Sequence, residues 1–348
     1  MKILHTSDWH IGHTFFGYER YEEFERFFEW LKNTIAEQKV DILIVSGDIF
    51  DTYTPSQRSL ELYFNFLSSI KDMLEKVVII GGNHDSPKTL QAPKSILSRL
   101  DIEVVSGADD DYKKLIEFKG FDIVAISYLR ESILNKISPD YATAIKQIYQ
   151  DLKTQKPCIA TGHFTVYGAE NSQSEREIYI GKIDGVPSSV FEGFGYVAMG
   201  HLHRRQGIGE NVVYSGSPLQ MGFKDDYEKS VTIIDSAGFT QSVLKVPRFR
   251  EFVELKGSFE SVKESLSQIK SGSFVSIELN GVVDAVTLEE LRKEDLNIVK
   301  IKLPYMEITQ NSVEMEALGP KSFIEELFED DEDLDEILKI IEELERED

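Results

Sequence analysis

Seven residues with metal-donor side chains stand just past five apolar runs. Asp8 and His10 follow residues 2–6, and Asp48 follows 42–45. Asn83 follows 77–80, His163 follows 158–160, and His201 and His203 follow 196–199. Short apolar runs that end in glycine read as strands buried on both faces. Ligands of open α/β sheets sit beyond the carboxyl ends of such strands. Core packing gives no reason for five strands to carry donors at the same end. Asp, His and Asn offer the oxygen and nitrogen atoms that suit manganese, iron or zinc. No thiolate is among them, which argues against a structural zinc site. Two carboxylates, four histidines and one asparagine are too many for one tetrahedral ion. They suit two cations sharing a bridging carboxylate, for which Asp48 or Asp8 is the natural choice. Two divalent cations against two carboxylates leave a locally positive pocket, fit for a phosphate. His84, beside Asn83, is placed to hand a proton to a leaving alkoxide or to stabilise the transition state.

Each pair taken singly has a bland reading as an ordinary turn; Gly-Asn-His-Asp at 82–85 is the rarest of them, and the ordered set is what argues for chemistry. The remaining histidines stand apart. His5, inside the first run, reads as a hydrogen-bonded core residue. His13, in the loop after the first motif, reads either as a substrate contact or as a loop residue. Arg204 and Arg205 suit either phosphate contacts or a solvated turn.

The elements that must position these residues alternate in type. Tyr21, Phe24, Phe28, Leu31 and Ile35 recur at helical spacing and predict an amphipathic helix over 19–38. A second helix starts at Pro55-Ser56, with Leu60, Tyr63, Phe64, Leu67 and Ile70 as its stripe; that stripe reads as core or as a dimer face. Ser86-Pro87 opens a third, carrying Ile96, Leu97 and Leu100. Short strands are expected at 102–105, 115–118 and 123–126, a helix near 141–154, a polar loop at 168–177, and mainly strands on to 246. Beyond Pro247 the order strand 252–255, helix 259–269, strand 274–279, helix 287–293, strand 298–303 predicts a small α+β domain. Two short helices, 323–328 and 334–344, flank an acidic turn. Leu334, Ile337, Leu338 and Ile341 form an apolar stripe too short to hold a helix alone, so it reads as a docking surface. The expected division is therefore 1–246, 247–319 and 320–348.

A chain of 348 residues has room for one large and one small domain. The net charge of -23 argues against binding nucleic acid through bulk electrostatics. Residues 320–348 hold fourteen Asp and Glu against three Lys and Arg, so nearly half of that excess sits in the tail. Any DNA contact must be local, or helped by cations or a partner. The single cysteine, Cys158, excludes an internal disulfide framework and suits a reducing compartment. No charged-then-apolar leader precedes the first strand, and no apolar run approaches the roughly 20 residues that cross a bilayer. A soluble, cytoplasmic protein is the expectation.

The motifs Asp8/His10, Gly47/Asp48, Gly82–Asp85, Gly162/His163 and Gly200–His203 resemble the calcineurin-like metallophosphoesterases. Ser7-Asp8-Trp9-His10-Ile11-Gly12, Ser174-Glu175-Arg176-Glu177-Ile178 and Tyr214-Ser215-Gly216-Ser217-Pro218 are similar to one branch, the nuclease subunits of bacterial double-strand-break repair complexes. The resemblance covers about residues 1–245 strongly and the remainder more loosely. It implies an α/β fold, a two-sheet α/β/β/α sandwich with a small α+β capping domain and a C-terminal helical pair. It implies one cation on Asp8, His10, Asp48 and His203, a second on Asp48, Asn83, His163 and His201, manganese as the metal, and His84 as the catalytic histidine. It further implies 3′-end degradation of duplex DNA, nicking of single-stranded or hairpin DNA, pairing through 56–73 and 88–100, and docking of the two terminal helices on a coiled-coil ATPase. Archaeal and eukaryotic relatives carry a second histidine after Gly-Asp. Asp51 stands there in this chain, so that histidine's role does not carry over, and Asp51 is left to orient a neighbour or a water. The competing readings are a phosphatase or cyclic-nucleotide phosphodiesterase on the same scaffold, and a non-catalytic DNA-end scaffold.

Overall fold

The computed structural model describes residues 1–108, 110–170, 185–280, 291 and 296–303. The stretch 174–178, most of the helix expected at 287–293, and all of 304–348 lie outside the described residues. In chain order the elements begin with β1 (Lys2–Thr6), β2 (Thr14–Phe15), β3 (Tyr18–Glu19), α1 (Tyr21–Gln38), β4 (Ile42–Ser46), α2 (Gln57–Ile70), β5 (Lys76–Ile80), α3 (Pro87–Gln91), α4 (Lys94–Leu97) and β6 (Ile102–Val105). Then come β7 (Lys113–Glu117), β8 (Asp122–Ile126), α5 (Glu131–Leu134), α6 (Tyr141–Leu152), β9 (Cys158–His163), β10 (Tyr196–Gly200), β11 (Gln206–Ile208) and β12 (Val212–Tyr214). The series closes with β13 (Ser230–Asp235), β14 (Thr240–Lys245), β15 (Phe252–Gly257), α7 (Phe259–Leu266), β16 (Phe274–Leu279) and β17 (Asn297–Lys302).

Two six-stranded sheets lie face to face. One has the order β14-β13-β1-β4-β5-β6, the other β11-β12-β10-β9-β8-β7. In the first, β1, β4, β5 and β6 run parallel; in the second, β12, β10, β9 and β8 do. Ile42, Ile44, Val78 and Ile80 of the first sheet meet Ile123, Ile159, Tyr196 and Ala198 of the second in one buried cluster. The opposite faces are covered by helices. Phe24, Phe27, Phe28 and Leu31 of α1 and Tyr63, Phe66 and Leu67 of α2 pack with Leu43, Val45, Val77 and Ile79. Ile145, Ile148 and Tyr149 of α6 pack with Val124, Ala160, Val197 and Met199. Each large apolar side chain so buried contributes roughly 1.5–3 kcal/mol relative to exposure. The layers are α/β/β/α, as the resemblance implies.

Local sequence explains the helix ends. Lys39 closes α1 in the left-handed region (φ 52°), its N–H returning to Ala36 O. The Ser56 hydroxyl caps α2 by accepting from the Ser59 N–H. The α2 stripe is rotated slightly from expectation. Phe66 is buried and stacks on Phe28 (ring centroids 4.4 Å apart), whereas Leu60 and Phe64 are only partly buried at the core's edge. A larger correction concerns 87–100. The single helix expected there is broken into α3, α4 and a 3-10 turn at Ser98–Leu100. Pro93 stands at the break, with no N–H to continue α3. Leu97 is buried, but Ile96 is 66% exposed and Leu100 37%.

Beyond β14, strands β15, β16 and β17 form a small parallel sheet, with α7 crossing between the first two. Val262, Leu266, Val275, Ile277, Leu279 and Leu291 make its own core. Phe15, in the β2–β3 hairpin, joins it to the larger part by packing on Phe252 and Phe274, each 5.0 Å away between centroids.

Candidate functional site

Strands β1, β4, β5, β9 and β10 deliver Asp8 and His10, Asp48, Asn83, His163, and His201 and His203 to one place. All seven donors come together there, and His84 joins them. The two sheets are pinned at this end. Ser46 Oγ lies 2.9 Å from Thr161 Oγ1 and 3.1 Å from Ala198 O, which accepts its proton. The backbone is bent to aim the donors. Asp8, His10, Asp48 and His201 all have positive φ (51°, 50°, 50° and 97°), a region that side-chain-bearing residues enter at a cost of about 1–3 kcal/mol. Two glycines make room. A Cβ on Gly47 would stand 2.3 Å from His163 Nδ1, and one on Gly82 would stand 2.1 Å from Asp48 Oδ1. That is why Gly-Asp and Gly-Asn-His begin with glycine.

The donor atoms crowd a small volume. Asp48 Oδ2 is 3.3 Å from His163 Nε2 and 3.7 Å from His10 Nε2. Its Oδ1 accepts the His84 N–H at 2.9 Å. Asn83 Oδ1 lies 2.9 Å from His163 Nε2 and 3.0 Å from His201 Nδ1. His10 Nε2 and His203 Nε2 are 3.1 Å apart. Asp8 Oδ1 accepts the His201 N–H at 2.8 Å, and Ser7 Oγ donates to Asp8 Oδ2 at 2.5 Å. The sets Asp8, His10, His203 and Asp8, Asp48, His163 each have donor atoms within 4.8 Å of one another; so does the set His10, Asp48, His84. Two rings meeting nitrogen to nitrogen, and a carboxylate oxygen facing one of them and a third, suit cations better than protons. Donor chemistry and geometry both fit divalent metal.

Electrostatics point the same way. Burial alone would raise Asp48, yet His163, His10 and His84 hold it well below the usual carboxylate range. Burial, reinforced by the Asp48 charge, lifts Asp8 to about 6 although His163 and His10 oppose it. Burial would depress His163, but the carboxylates of Asp48 and Asp8 raise it to about 9. His201 falls to about 3 through burial and then the His163 charge; His203 falls well below its ordinary value through burial and then His10. His163 Nδ1–H donates to Ser46 O at 2.8 Å, so Nε2 is the atom left for a ligand. Below pH 9 that atom carries a proton in the metal-free site, which an incoming cation must displace. Apparent affinity for a divalent cation should therefore rise about tenfold per pH unit for each displaced proton and level off near pH 9. Equilibrium metal titrations between pH 6.5 and 8.5 check this; a flat profile contradicts it.

Several residues noted in the sequence take supporting places that their local pattern does not reveal. Asp85 is buried and staples the β5 loop to the β4 loop, accepting from Gly82 N–H (2.8 Å), Phe50 N–H (3.0 Å) and Ile49 N–H (3.1 Å). Asp51 places Oδ1 3.4 Å from His10 Nδ1, while its carbonyl accepts from His84 Nδ1–H at 2.9 Å. The stretch 214–218 braces the last histidines: Ser217 N–H donates to His203 O at 3.1 Å, and Lys229 Nζ donates to Ser217 Oγ at 2.9 Å. His5 is the core residue expected, buried with Nδ1 2.9 Å from Tyr196 OH. Arg204 is exposed and paired with Glu170, whereas Arg205 turns its Nε into the interior; burial, and then the Arg205 charge, depress His5 to about 3. His13 sits at the rim, bonded to Arg20.

Residues 1–205 match the calcineurin-like phosphoesterase family. The chain is 36% identical over 297 residues to the SbcD subunit of nuclease SbcCD from Escherichia coli K12, covering 77% of this chain and 74% of that protein. It is 29% identical over 324 residues to the subunit of the same name from Bacillus subtilis, covering 84% and 82% of the two chains. It is 31% identical over 271 residues to that of Rhodobacter capsulatus, covering 68% and 67%. The chain belongs to the calcineurin-like phosphoesterases and, within them, to the family of SbcD subunits of the SbcCD nuclease.

Proposed function

We propose that this chain is a DNA nuclease that hydrolyses phosphodiester bonds with two divalent cations, most simply manganese, and works in double-strand-break repair with an SbcC-type coiled-coil ATPase. The observation that carries the reading is the convergence of five strand ends from two sheets on one cluster of seven donors plus His84. One cation would be held by Asp8, His10, Asp48 and His203, the other by Asp48, Asn83, His163 and His201. Bound there, the pair would activate water and neutralise both the attacking and the leaving oxygen of the phosphate. The chain's own residues do the remainder. Asp48 ties the two positions together and fixes the His84 backbone. His84, its Nδ1–H held by the Asp51 carbonyl, presents Nε2 for proton transfer to the leaving oxygen. Asp85 keeps both loops in register.

The finer features follow the family. The activity is 3′–5′ exonucleolytic on duplex DNA and endonucleolytic on single-stranded or hairpin DNA. The small unit, with its own core, serves as the capping domain of 247–319, and the acidic segment 320–348 docks the ATPase. Pairing of two copies through 56–73 and 88–100 is supported by the exposed Ile96 and Leu100. A buried single cysteine suits the cytoplasm; among the described residues no helix is long and apolar enough to cross a membrane.

The test is digestion of 3′-labelled duplex DNA with manganese, with magnesium and with chelator. Manganese-dependent shortening from the 3′ end is expected. Hydrolysis of a small phosphomonoester without DNA digestion would move the chain to the phosphatase reading. Failure to cleave either, with DNA still bound, would leave the scaffold reading.

A further inference from the structure

Two loops flank His84, and an exposed arginine bridges them. One loop follows β4. Its Asp51 carbonyl accepts the His84 Nδ1–H at 2.9 Å, and Tyr53 stands two residues further on. The other loop follows β8. Its Tyr128 N–H donates to Gly81 O at 2.8 Å, at the head of the Gly-Gly-Asn-His run, and Arg130 again stands two residues further on. Arg130 NH2 donates to Tyr53 OH at 2.5 Å, with the guanidinium carbon 5.9 Å from the Tyr53 ring centroid. That bond crosses from one loop to the other. Two residues of extended chain span only about 7 Å, so the pair stands close to the His84 edge of the cluster.

Both side chains face solvent, and Tyr53 is 50% exposed. Several arginines of this chain are neutralised by carboxylates. Arg20 and Arg250 share Glu23, Arg58 meets Glu19, and Arg204 meets Glu170. Among the described residues no carboxylate pairs with Arg130, whose partner is a neutral phenol. The phenol fixes the direction of the guanidinium without cancelling its charge. Arginine carries several N–H donors in a planar fork, and the phenol takes one of them. The others are left for an oxyanion, and the fork suits a phosphate. The charge matters because the chain is so acidic. A net charge of -23 gives nucleic acid no general attraction, so a strand must be met by local cations. Arg130 is such a cation, placed where a strand leaving the cluster past His84 would run.

We propose that Arg130, held in direction by Tyr53, binds a phosphate of the DNA strand next to the one being cleaved, on the side served by His84. The inference rests on the nuclease reading and deepens it. It gives the site a contact that a small phosphate ester cannot make, and so a preference for a polynucleotide over such esters.

The test uses the full chain with manganese and short duplexes in which single phosphates near the cleavage point are replaced by neutral methylphosphonates. Arg130→Ala should raise KM for the unmodified duplex by about five- to tenfold, the scale of one exposed hydrogen bond to a charged group, with kcat and manganese content kept. The slope of log KM against log salt should fall by about one. Arg130→Lys, which keeps the charge but loses the fork, should lie between. One methylphosphonate position should weaken the wild type by a similar factor and leave Arg130→Ala unaffected. Tyr53→Phe should raise KM less than Arg130→Ala does, and add nothing in the Arg130→Ala background. Unchanged KM in Arg130→Ala would overturn the contact. A variant as sensitive as the wild type to every methylphosphonate would overturn its assignment to a flanking phosphate, and so would lost manganese. Absence of manganese-dependent cleavage in the wild type would instead sink the nuclease reading itself, and this inference with it.

Discussion

Asp48→Asn is expected to abolish binding of both cations and to lower phosphodiester cleavage by on the order of a thousandfold or more. The effect should exceed that of any other single donor because Asp48 faces both halves of the cluster. Its Oδ2 stands within 3.7 Å of His10 Nε2 and 3.3 Å of His163 Nε2. Its Oδ1 holds the backbone of His84 at 2.9 Å. Asparagine keeps the shape and one acceptor but loses the charge and points an NH2 group at one of these partners. The protonation of the site shifts as well. His163 stays protonated up to about pH 9 because Asp48 and Asp8 outweigh burial. Without the Asp48 charge, burial pulls His163 down and the ring becomes neutral at lower pH. The variant therefore loses its metal while relieving one proton competitor, so poor metal uptake cannot be blamed on His163. Metal content measured after dialysis against manganese checks the claim; two ions per chain in Asp48→Asn would refute the shared position.

The cluster was legible because each donor sits at a strand end, marked by the apolar run before it and, for all but Asp8 and His10, by a glycine between run and donor. Asp48 and His163 need no knowledge of the partner strand to be recognised. The sheets were legible for the same reason: β4 and β10 are buried along their whole length and read as unbroken apolar runs. What escaped are features set by distant partners. Phe66 rather than Phe64 faces the core because Phe28 stacks on it, a phase that α2 alone does not encode. Asp85 binds backbone N–H groups about 35 residues away, on the far side of α2. Glu23 and Arg250 are 227 residues apart, and nothing near either announces the other. The break in 87–100 is a different case. Pro93 stands in the sequence, and its missing N–H outweighs the apolar spacing of Ile96, Leu97 and Leu100.

His84→Gln should separate proton transfer from metal binding. The His84 contact with Asp48 runs through the backbone N–H, which glutamine keeps. The Asp51 carbonyl, now bonded to His84 Nδ1, can accept from the glutamine amide instead. Both cations should remain, and DNA should bind as before. Only the ring nitrogen that can carry the transferred proton, Nε2, is lost, so kcat should fall by about 10²- to 10⁴-fold with KM little changed. A rival role is testable in the same protein. His84 lies near enough to His10 and Asp48 to be counted among the donors, its ring 4.8 Å from that of His10. Were it a ligand, glutamine would cost metal along with activity. Full manganese occupancy with slow cleavage therefore assigns His84 to proton transfer, lost occupancy assigns it to the metal, and wild-type cleavage removes it from the reaction.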